Sequence, residues 1–364
     1  MYRSAVLVRT HLMTNALGLY ALYWFVVMAV HGGGSWHFFV QGATALADLD
    51  DKAGGLHLYA AAPILQIGPL AFLATLILLP AGPTLALFAG QLLGAAVGLV
   101  ILWQIHRIAV DACPHLDRRI VTLRVTITGI AFLPAWMYLA VGSVHVDDVL
   151  AMLCAVLALR FAREHRPVSS GVLLGAAVDA KPWAVIFAGI LLMLGSRSAV
   201  LRGAVAMGAA IAVAWLPFYL ADPATMNAAH FTIVNTRFSA LRALGIDDPR
   251  TPHWDRPVQA LLGMTVCAIA VLRRRWAAAL MIAVAARLVL DPGTNRYYVA
   301  GLVVGAAIWD VVGSRRRVPW WTLSAYLGLF AARWLPLPPW VHGWSLIAYL
   351  GACCLLIARP GERT

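Results

Sequence analysis

The stretch Gly142-Ser143-Val144-His145-Val146-Asp147-Asp148 lies between two apolar runs, residues 122–141 and 149–161, and we predict a membrane helix for each run. A second polar interruption, Asp179-Ala180-Lys181-Pro182-Trp183, follows about thirty residues later. An ionisable group at membrane depth costs roughly 2.5–3.5 kcal/mol, so such residues are candidates for function. The alternative interpretation is that both stretches are turns at the membrane surface.

The composition is that of an integral membrane protein. Of 364 residues, 62% are hydrophobic and 12% charged, whereas soluble domains are about 45–50% apolar and about 25% charged. The net charge of +12 comes from arginine clusters at the ends of apolar runs, which orient a polytopic protein and do not indicate nucleic-acid binding. The five cysteines have no metal-binding spacing and are interpreted as packing residues.

The apolar runs predict an all-α, polytopic transmembrane bundle, a single domain over residues 1–364 with about 11–13 membrane helices, some short and broken. The first helix is expected over 12–30 as an uncleaved span. Two segments are too polar to span: 31–62, expected as an external loop of interfacial helices, and 222–256, a second external segment. The remaining runs are 63–79, 83–103, 171–195, 199–221, 258–272, 276–290, 297–313, 319–335 and 340–358.

The predicted topology depends on the run 171–195. Proline at 182 disfavours a helical Lys181, so a break there is expected. A broken pair puts Asp147 and Lys181 outside, but residues 31–62 then fall outside only if one early segment is also irregular. An unbroken span repairs the count and places Arg118 and Arg163 outside, against the positive-inside rule. We prefer the broken pair. The protein is then expected in the plasma membrane, with the basic segment 104–121 and both termini on the cytoplasmic side.

On this topology the acidic residues collect on the external face. Acids carry little topological force, so insertion does not explain their excess there. An acid-lined external site is therefore the working hypothesis. The acids concerned are Asp48, Asp50, Asp51, Asp147, Asp148, Asp179, Asp222, Asp247, Asp248, Asp255 and Asp291.

The order of these features resembles the glycosyltransferase-C superfamily, in particular its actinobacterial mannosyltransferase-like members. The loop Phe38-Phe39-Val40-Gln41-Gly42, the turn Gly142–Asp148, and the run from Gly171 to Lys181-Pro182 carry the resemblance, which covers about residues 12–195. It implies transfer of a sugar, mannose in those relatives, from a polyprenyl-phosphate donor to an envelope lipid or glycan acceptor on the external membrane face.

One position departs from the family pattern. An aspartate, expected as the general base, usually opens the loop motif, and His37 stands there instead. Either His37 takes that role, or an acid such as Asp48, Asp50, Asp51 or Asp147 does, or the chain is a non-catalytic relative. Asp147 and Asp148 point about 100° apart on a helix, so at most one should face a given pocket while the other caps the helix.

Several residues could bind the donor or acceptor. Lys181 and Arg296 suit a phosphate, with Arg237 and Arg242 as further phosphate ligands. Asp291 and Tyr297 could contact a sugar or diphosphate, and His145 could orient Asp147. The alternative for Lys181 is a side chain that snorkels to the interface, and the alternative for residues 291–298 is an aromatic-belt turn. No group of residues has the spacing of a known cofactor or metal site. The paired acids Asp50-Asp51 or Asp147-Asp148 could nevertheless hold a divalent cation.

Two other functions remain open from the sequence. A transporter or flippase of a lipid-linked substrate also shows broken helices and charges within the membrane, but its internal repeat is not found here. A non-catalytic partner in an envelope-building complex would account for the missing loop aspartate. The expected partners are a polyprenyl-phosphate sugar, a lipid or glycan acceptor and membrane lipids, with no nucleic acid.

Overall fold

The computed structural model describes residues 2–49, 52–316 and 318–359, and the side chains from residue 13 onward. Asp50, Asp51 and Arg317 lie outside the described residues. Within them the fold is all-α, as predicted; the only β feature is an isolated bridge between Val234 and Arg250. Six helices are long and apolar enough to cross a membrane, in which every backbone polar group must be satisfied within the helix.

The described residues of the first half of the chain contain seven α-helices of ten or more residues and one long 3₁₀ helix. The α-helices are α1 (Tyr2–Ala29), α2 (Trp36–Ala47), α3 (Pro69–Leu78), α4 (Pro83–Ala112), α5 (Arg118–Met137), α6 (Val146–Arg163) and α7 (Pro167–Ala180). A π-helical turn, Tyr138–Ser143, extends α5, and the 3₁₀ helix Pro182–Leu194 follows α7.

The second half adds α8 (Arg197–Ala221), α9 (Asp255–Leu272), α10 (Ala279–Leu290), α11 (Val299–Ile308), α12 (Trp320–Ser324) and α13 (Pro339–Ala358). Helical turns over Arg296–Tyr298 and Trp309–Gly313 extend α11, and turns over Ala325–Trp334 extend α12. Residues 222–254 contain short helical turns only.

Arginines from several inter-helix segments meet at one end of the bundle, which we call the arginine end. Arg124 donates to the carbonyl of Ser314 (3.0 Å). The guanidinium of Arg163 lies 4.6 Å from the centre of the Trp276 ring. The predicted basic segment 104–121 reaches this end. Helix α4 continues to Ala112, beyond the predicted end of the run at residue 103, so Arg107 is helical.

The polar segments meet at the other end, which we call the site end. Ser35 Oγ lies 2.9 Å from Nε2 of His145, and Thr236 N–H donates to the carbonyl of Pro292 (3.0 Å). The loop 31–62, the turn at 142–148, the 222–254 segment and the 291–295 turn are therefore neighbours, as the preferred topology requires.

Helix α3 is the early irregularity that this topology needs. Its 10 residues extend about 15 Å, half of a hydrocarbon core. Its start is fixed at the site end by the hydrogen bond from Gly68 N–H to the carbonyl of Ala180 (3.0 Å). Helix α4, which follows, also starts at the site end, because Gln91 donates to the carbonyl of Val141. The run ending at Leu79 therefore returns to the end from which it started.

The predicted break at Lys181 is confirmed. Helix α7 ends at Ala180, and Lys181 is extended (φ −147°, ψ 111°), as expected for a residue before proline. The next 13 residues form a 3₁₀ helix of about 26 Å. Close glycine contacts surround it: a Cβ on Gly189 would meet the backbone of Ala268, and one on Gly263 would meet Ile186.

The loop 31–62 contains short helices and, in its described residues, no helix long enough to cross a membrane, as predicted. Helix α2 buries Trp36 and Phe39 on one face. Tyr59 is fully buried beside Phe72 of α3, and its hydroxyl donates to the carbonyl of Ile67 (2.7 Å). These side chains belong to a hydrophobic cluster separate from the core of the bundle. The cluster holds the loop against the bundle and so positions the site end.

Candidate functional site

The turn before α6 has strained backbone. Val144, a buried β-branched residue, adopts a left-handed conformation (φ 51°), which is rare for such a residue and indicates local strain that the surrounding structure maintains. It reverses the chain so that Asp147 and Asp148 occupy the first turn of α6, where the helix dipole favours negative charge.

Asp147 is fully buried, and each of its two carboxylate oxygens accepts a hydrogen bond from a protein group. Its Oδ2 accepts a hydrogen bond from Lys181 Nζ, and its Oδ1 accepts the backbone N–H of Asp148 (2.8 Å). His145 Nδ1 lies 3.3 Å from the same Oδ1. Lys181 at the helix break is therefore tied to the first turn of α6.

Asp148 also faces Lys181, while neither carboxylate lines the cavities described below. Lys181 Nζ lies 3.9 Å from Asp148 Oδ2, because the ammonium sits between the two side chains. Asp148 Oδ1 accepts a hydrogen bond from Trp183 Nε1 (3.1 Å), and Oδ2 has no hydrogen-bond partner among the described residues.

His145 connects the cluster to other elements. Its ring stacks on Tyr297 with 3.8 Å between ring centres, and Phe39 of α2 approaches it edge-on at 6.0 Å. With Asp147 and Asp148 it offers three ligand atoms within 4.8 Å of one another. Lys181 lies against the same carboxylates, so in this arrangement the ammonium supplies the positive charge that a divalent cation would bring.

A cavity of about 390 Å³ lies beside this cluster, and Lys181 and Trp183 belong to both. Charged groups from three further positions reach it: Asp255 and Arg256 at the start of α9, Arg287 in the last turn of α10, and Asp291 just after it. Apolar walls come from Ile211 and Trp215 of α8, and from Val178, Met226 and Ile233. We call this space the main cavity.

The main cavity contains polar atoms without a protein partner. Among buried side-chain atoms of the described residues, Asp255 Oδ1, Arg256 Nε and Arg287 Nε have no hydrogen bond. Buried polar groups are ordinarily paired. The lining of the main cavity therefore includes a carboxylate and two guanidiniums whose hydrogen-bonding capacity the protein does not fully use.

The two guanidiniums are held in different ways. Arg287 forms a buried ion pair with Asp291 (2.6 Å) and packs against the rings of Trp183 and Tyr298 at 4.5 and 4.9 Å. Burial raises the pKa of Asp291, and the charge of Arg287 opposes that shift. Arg256 donates to Gln66 Oε1 (2.7 Å) and to the carbonyl of Phe231 (2.8 Å), so the loop before α3 helps to position it.

The structure brings only some of the sequence-predicted residues together. Asp147, Asp148, His145, Tyr297 and Lys181 form one cluster, and Asp291 lies in the adjoining main cavity. Four further candidates lie outside this cluster and the main cavity. Arg242 pairs with Asp247 (3.0 Å). His37 is exposed beside Phe38, Arg296 packs against Trp334, and Arg237 packs against Phe238.

Sequence reasoning counted Asp255 among the external acids without giving it a role, and it missed Arg256 and Arg287 as site residues. Arg287 had a usable signal, since it is the one charged residue of the apolar run 276–290, and charges inside membrane helices are functional candidates. Asp255 and Arg256 stand at the boundary of a polar segment, where charges are ordinary. Ser35, which contacts His145, carried no signal in the sequence.

Comparison with known proteins gave no match: no family model, curated protein or solved structure is significantly similar to this chain. The resemblance to glycosyltransferase-C proteins therefore rests on the order of the sequence motifs.

Proposed function

We propose that this protein is a membrane-embedded glycosyltransferase that moves a sugar, mannose by the family resemblance, from a polyprenyl-phosphate donor to a lipid or glycan acceptor. The observation that carries the proposal is the set of charged side chains that line the main cavity, namely Asp255, Arg256, Arg287 and Lys181. A phosphate would accept from the guanidiniums, and an acceptor hydroxyl would donate to the carboxylate. A transferase of this kind needs both interactions at one place.

The cationic residues of the main cavity suit the leaving phosphate. Arg256 and Arg287 offer charge-assisted hydrogen bonds to phosphate oxygens, and Lys181 adds an ammonium at the neighbouring wall. As the bond between the anomeric carbon and the phosphate oxygen breaks, negative charge grows on the phosphate. Preorganised cations at that place stabilise the transition state more than the ground state.

Asp255 is the base in this proposal. Its Oδ1 is unpaired, while Oδ2 is fixed by Gln259 Nε2 (2.7 Å). It would take the proton of the acceptor hydroxyl as that oxygen attacks the anomeric carbon. Asp147 is less suited to this step, because both of its carboxylate oxygens already bind protein groups, Lys181 and a backbone N–H. Asp147 and Asp148 position Lys181 instead.

A lipid donor also fits the surroundings of the main cavity. Its wall includes Ile211 and Trp215 of α8, and most residues of this helix are not buried in the protein. Both α8 and α9 pack on the Pro182–Leu194 helix. We place the exit of the polyprenyl chain between α8 and α9, toward the bilayer.

We place the arginine end in the cytoplasm and the site end outside, in the plasma membrane. This assignment follows the positive-inside rule, since the arginine clusters at 118–124, 163–166, 273–275 and 315–316 lie at the arginine end. With α3 at the site end, the helices alternate in direction so that both termini are cytoplasmic.

The test is transfer of radiolabelled mannose from polyprenyl-phosphate mannose by the purified protein in detergent, with a crude envelope lipid extract as acceptor. Arg287→Gln should lower the rate about 10²-fold, the usual effect of removing one such donor. Arg250→Gln is the matched control, because Arg250 is an exposed arginine of the site end that bonds to Thr232. Its rate should be unchanged.

The same preparation separates the alternatives. A wild-type protein that transfers no sugar from donors with several sugars and chain lengths would contradict the enzyme. Movement of the labelled donor across proteoliposomes without transfer would then support a flippase, and neither activity would support a non-catalytic partner.

A further inference from the structure

A second group of arginines lies at the site end, at the corner between α12 and α13. Arg296 and Arg333 line a small cavity of about 30 Å³ together with His342 of α13. Tyr298 lines both this cavity and the main cavity, so its ring stands between the two spaces. The group is therefore a neighbour of the main cavity but distinct from it.

Backbone contacts hold the two arginines in place. Arg296 Nη2 donates to the carbonyl of Arg333 (2.9 Å), and Arg333 Nη2 donates to the carbonyl of Thr294 (2.8 Å). Each side chain thus fixes the segment that carries the other. A guanidinium has five N–H donors, so both keep donors for a further ligand.

Aromatic rings also hold the guanidiniums. Arg296 lies 4.6 Å from the centre of the Trp334 ring. Phe238 has two arginines beside it, Arg333 at 4.5 Å and the exposed Arg237 at 4.9 Å. Three guanidiniums are in this way gathered around two rings.

The positive charge of this group is not balanced by protein. Within the described part of the chain, neither Arg237, Arg296 nor Arg333 forms an ion pair with a carboxylate, in contrast to Arg242 and Arg287. Like charges gathered at one place repel one another unless an anion joins them. The arrangement is therefore complete only with an anionic partner.

The surroundings indicate that this partner belongs to a membrane lipid. Trp334 and Leu335, at the corner before α13, are 49% and 57% exposed, and Trp340, in the first turn of α13, is 61% exposed. Tryptophan at the end of a membrane helix is typical of the headgroup level of a bilayer. Acyl chains could lie on these apolar side chains while the headgroup phosphate meets the arginines.

We propose that Arg237, Arg296 and Arg333 form a binding site for the phosphodiester headgroup of an anionic phospholipid. The site is independent of the proposed transfer reaction and would exist in a transporter or a non-catalytic protein as well. It holds the corner between α12 and α13 at the membrane surface, next to Tyr298 at the boundary of the main cavity.

The experiment is native mass spectrometry of the delipidated protein in detergent, titrated with dioctanoyl phosphatidylglycerol or with dioctanoyl phosphatidylcholine. The wild type should bind phosphatidylglycerol more tightly than phosphatidylcholine. Arg237→Gln should weaken phosphatidylglycerol binding about fivefold, on the basis of about 1 kcal/mol per basic residue near an anionic lipid. Arg296→Gln should weaken it at least as much.

Arg237→Gln keeps the test valid if Arg296→Gln fails to fold, because Arg237 is exposed and only packs on Phe238. Arg250→Gln, an exposed arginine outside the group, should leave binding unchanged. Equal binding of the two lipids by the wild type would overturn the proposal, as would equal phosphatidylglycerol binding by the Arg237→Gln and wild-type proteins. Competition by millimolar inorganic phosphate without any lipid preference would assign the site to a free anion and likewise overturn it.

Discussion

Lys181 Nζ donates a hydrogen bond to Asp147 Oδ2, and this contact joins two helix ends that are 34 residues apart in the chain. Lys181 stands at the break between α7 and the Pro182–Leu194 helix, and Asp147 stands in the first turn of α6. The carboxylate is fully buried and the lysine side chain is 17% exposed. The pair is therefore a buried ion pair, for which removal of one partner costs more than removal of both.

We expect Lys181→Met and Asp147→Asn each to lower the free energy of unfolding by about 3–5 kcal/mol, because each leaves the opposite charge buried and unpaired. The double variant should lose clearly less than the sum of the two single losses. The measurement is denaturant unfolding in mixed micelles, arranged as a double-mutant cycle. Additive losses would show that the two side chains do not interact.

The contact between Gly68 and the end of α7 should tolerate no side chain. A Cβ on Gly68 would lie 1.9 Å from the carbonyl oxygen of Asp179, and Gly68 N–H donates to Ala180 in the same place. Gly68→Ala must push α3 away from α7, so we expect a large loss of thermal stability and of any activity. The measurement is the melting temperature in detergent.

The matched control is Gly208→Ala in α8, where an added Cβ meets nothing within 4 Å. Alanine is the better helix former by about 1 kcal/mol, so this variant should be as stable as the wild type or more so. Equal melting temperatures for the Gly68→Ala and Gly208→Ala proteins would contradict the placement of α3.

The sequence predicted most helices because proline, glycine and arginine mark their ends, as at Pro83 and Pro339. It also identified Asp147 and Lys181, since charges interrupting apolar runs are conspicuous. Their pairing was out of reach, because it depends on how α6 and α7 pack. Helix α3 is strongly apolar, and only its length of 10 residues and the contact of Gly68 with Ala180 indicate that it returns to the site end. Arg256 reaches the main cavity through tertiary contacts to Gln66 and Phe231 that no local pattern encodes.

The position of α3 gives a labelling prediction. In a Cys354→Ser background, which removes the one exposed cysteine among the five, single cysteines at the exposed positions Ala81, Asp248 and Asn295 should react with an impermeant maleimide from the same side of intact cells. Cysteines at Arg166 and Arg273 should react only after the membrane is opened. Ala81 is the decisive position, and its protection in intact cells while Asp248 reacts would mean that α3 crosses the membrane.

Asp255→Asn tests the base in the main cavity. Asparagine keeps the size of the side chain and can still contact Gln259, but it cannot take a proton from an acceptor hydroxyl. We expect kcat for sugar transfer to fall about 10²-fold or more, with KM for the donor nearly unchanged, since the arginines that bind its phosphate remain. The measurement is initial rates over a range of donor concentrations.

Two variants make the interpretation of Asp255→Asn specific. Asp248→Asn changes an exposed acid of the same external segment and should keep full activity. Asp147→Asn should also lower activity, but by loosening Lys181, so its effect should fall on donor KM and on stability as well as on kcat. A fully active Asp255→Asn enzyme, together with a loss of kcat alone in Asp148→Asn, would move the base from Asp255 to Asp148, whose unpaired Oδ2 lies 3.9 Å from Lys181 Nζ.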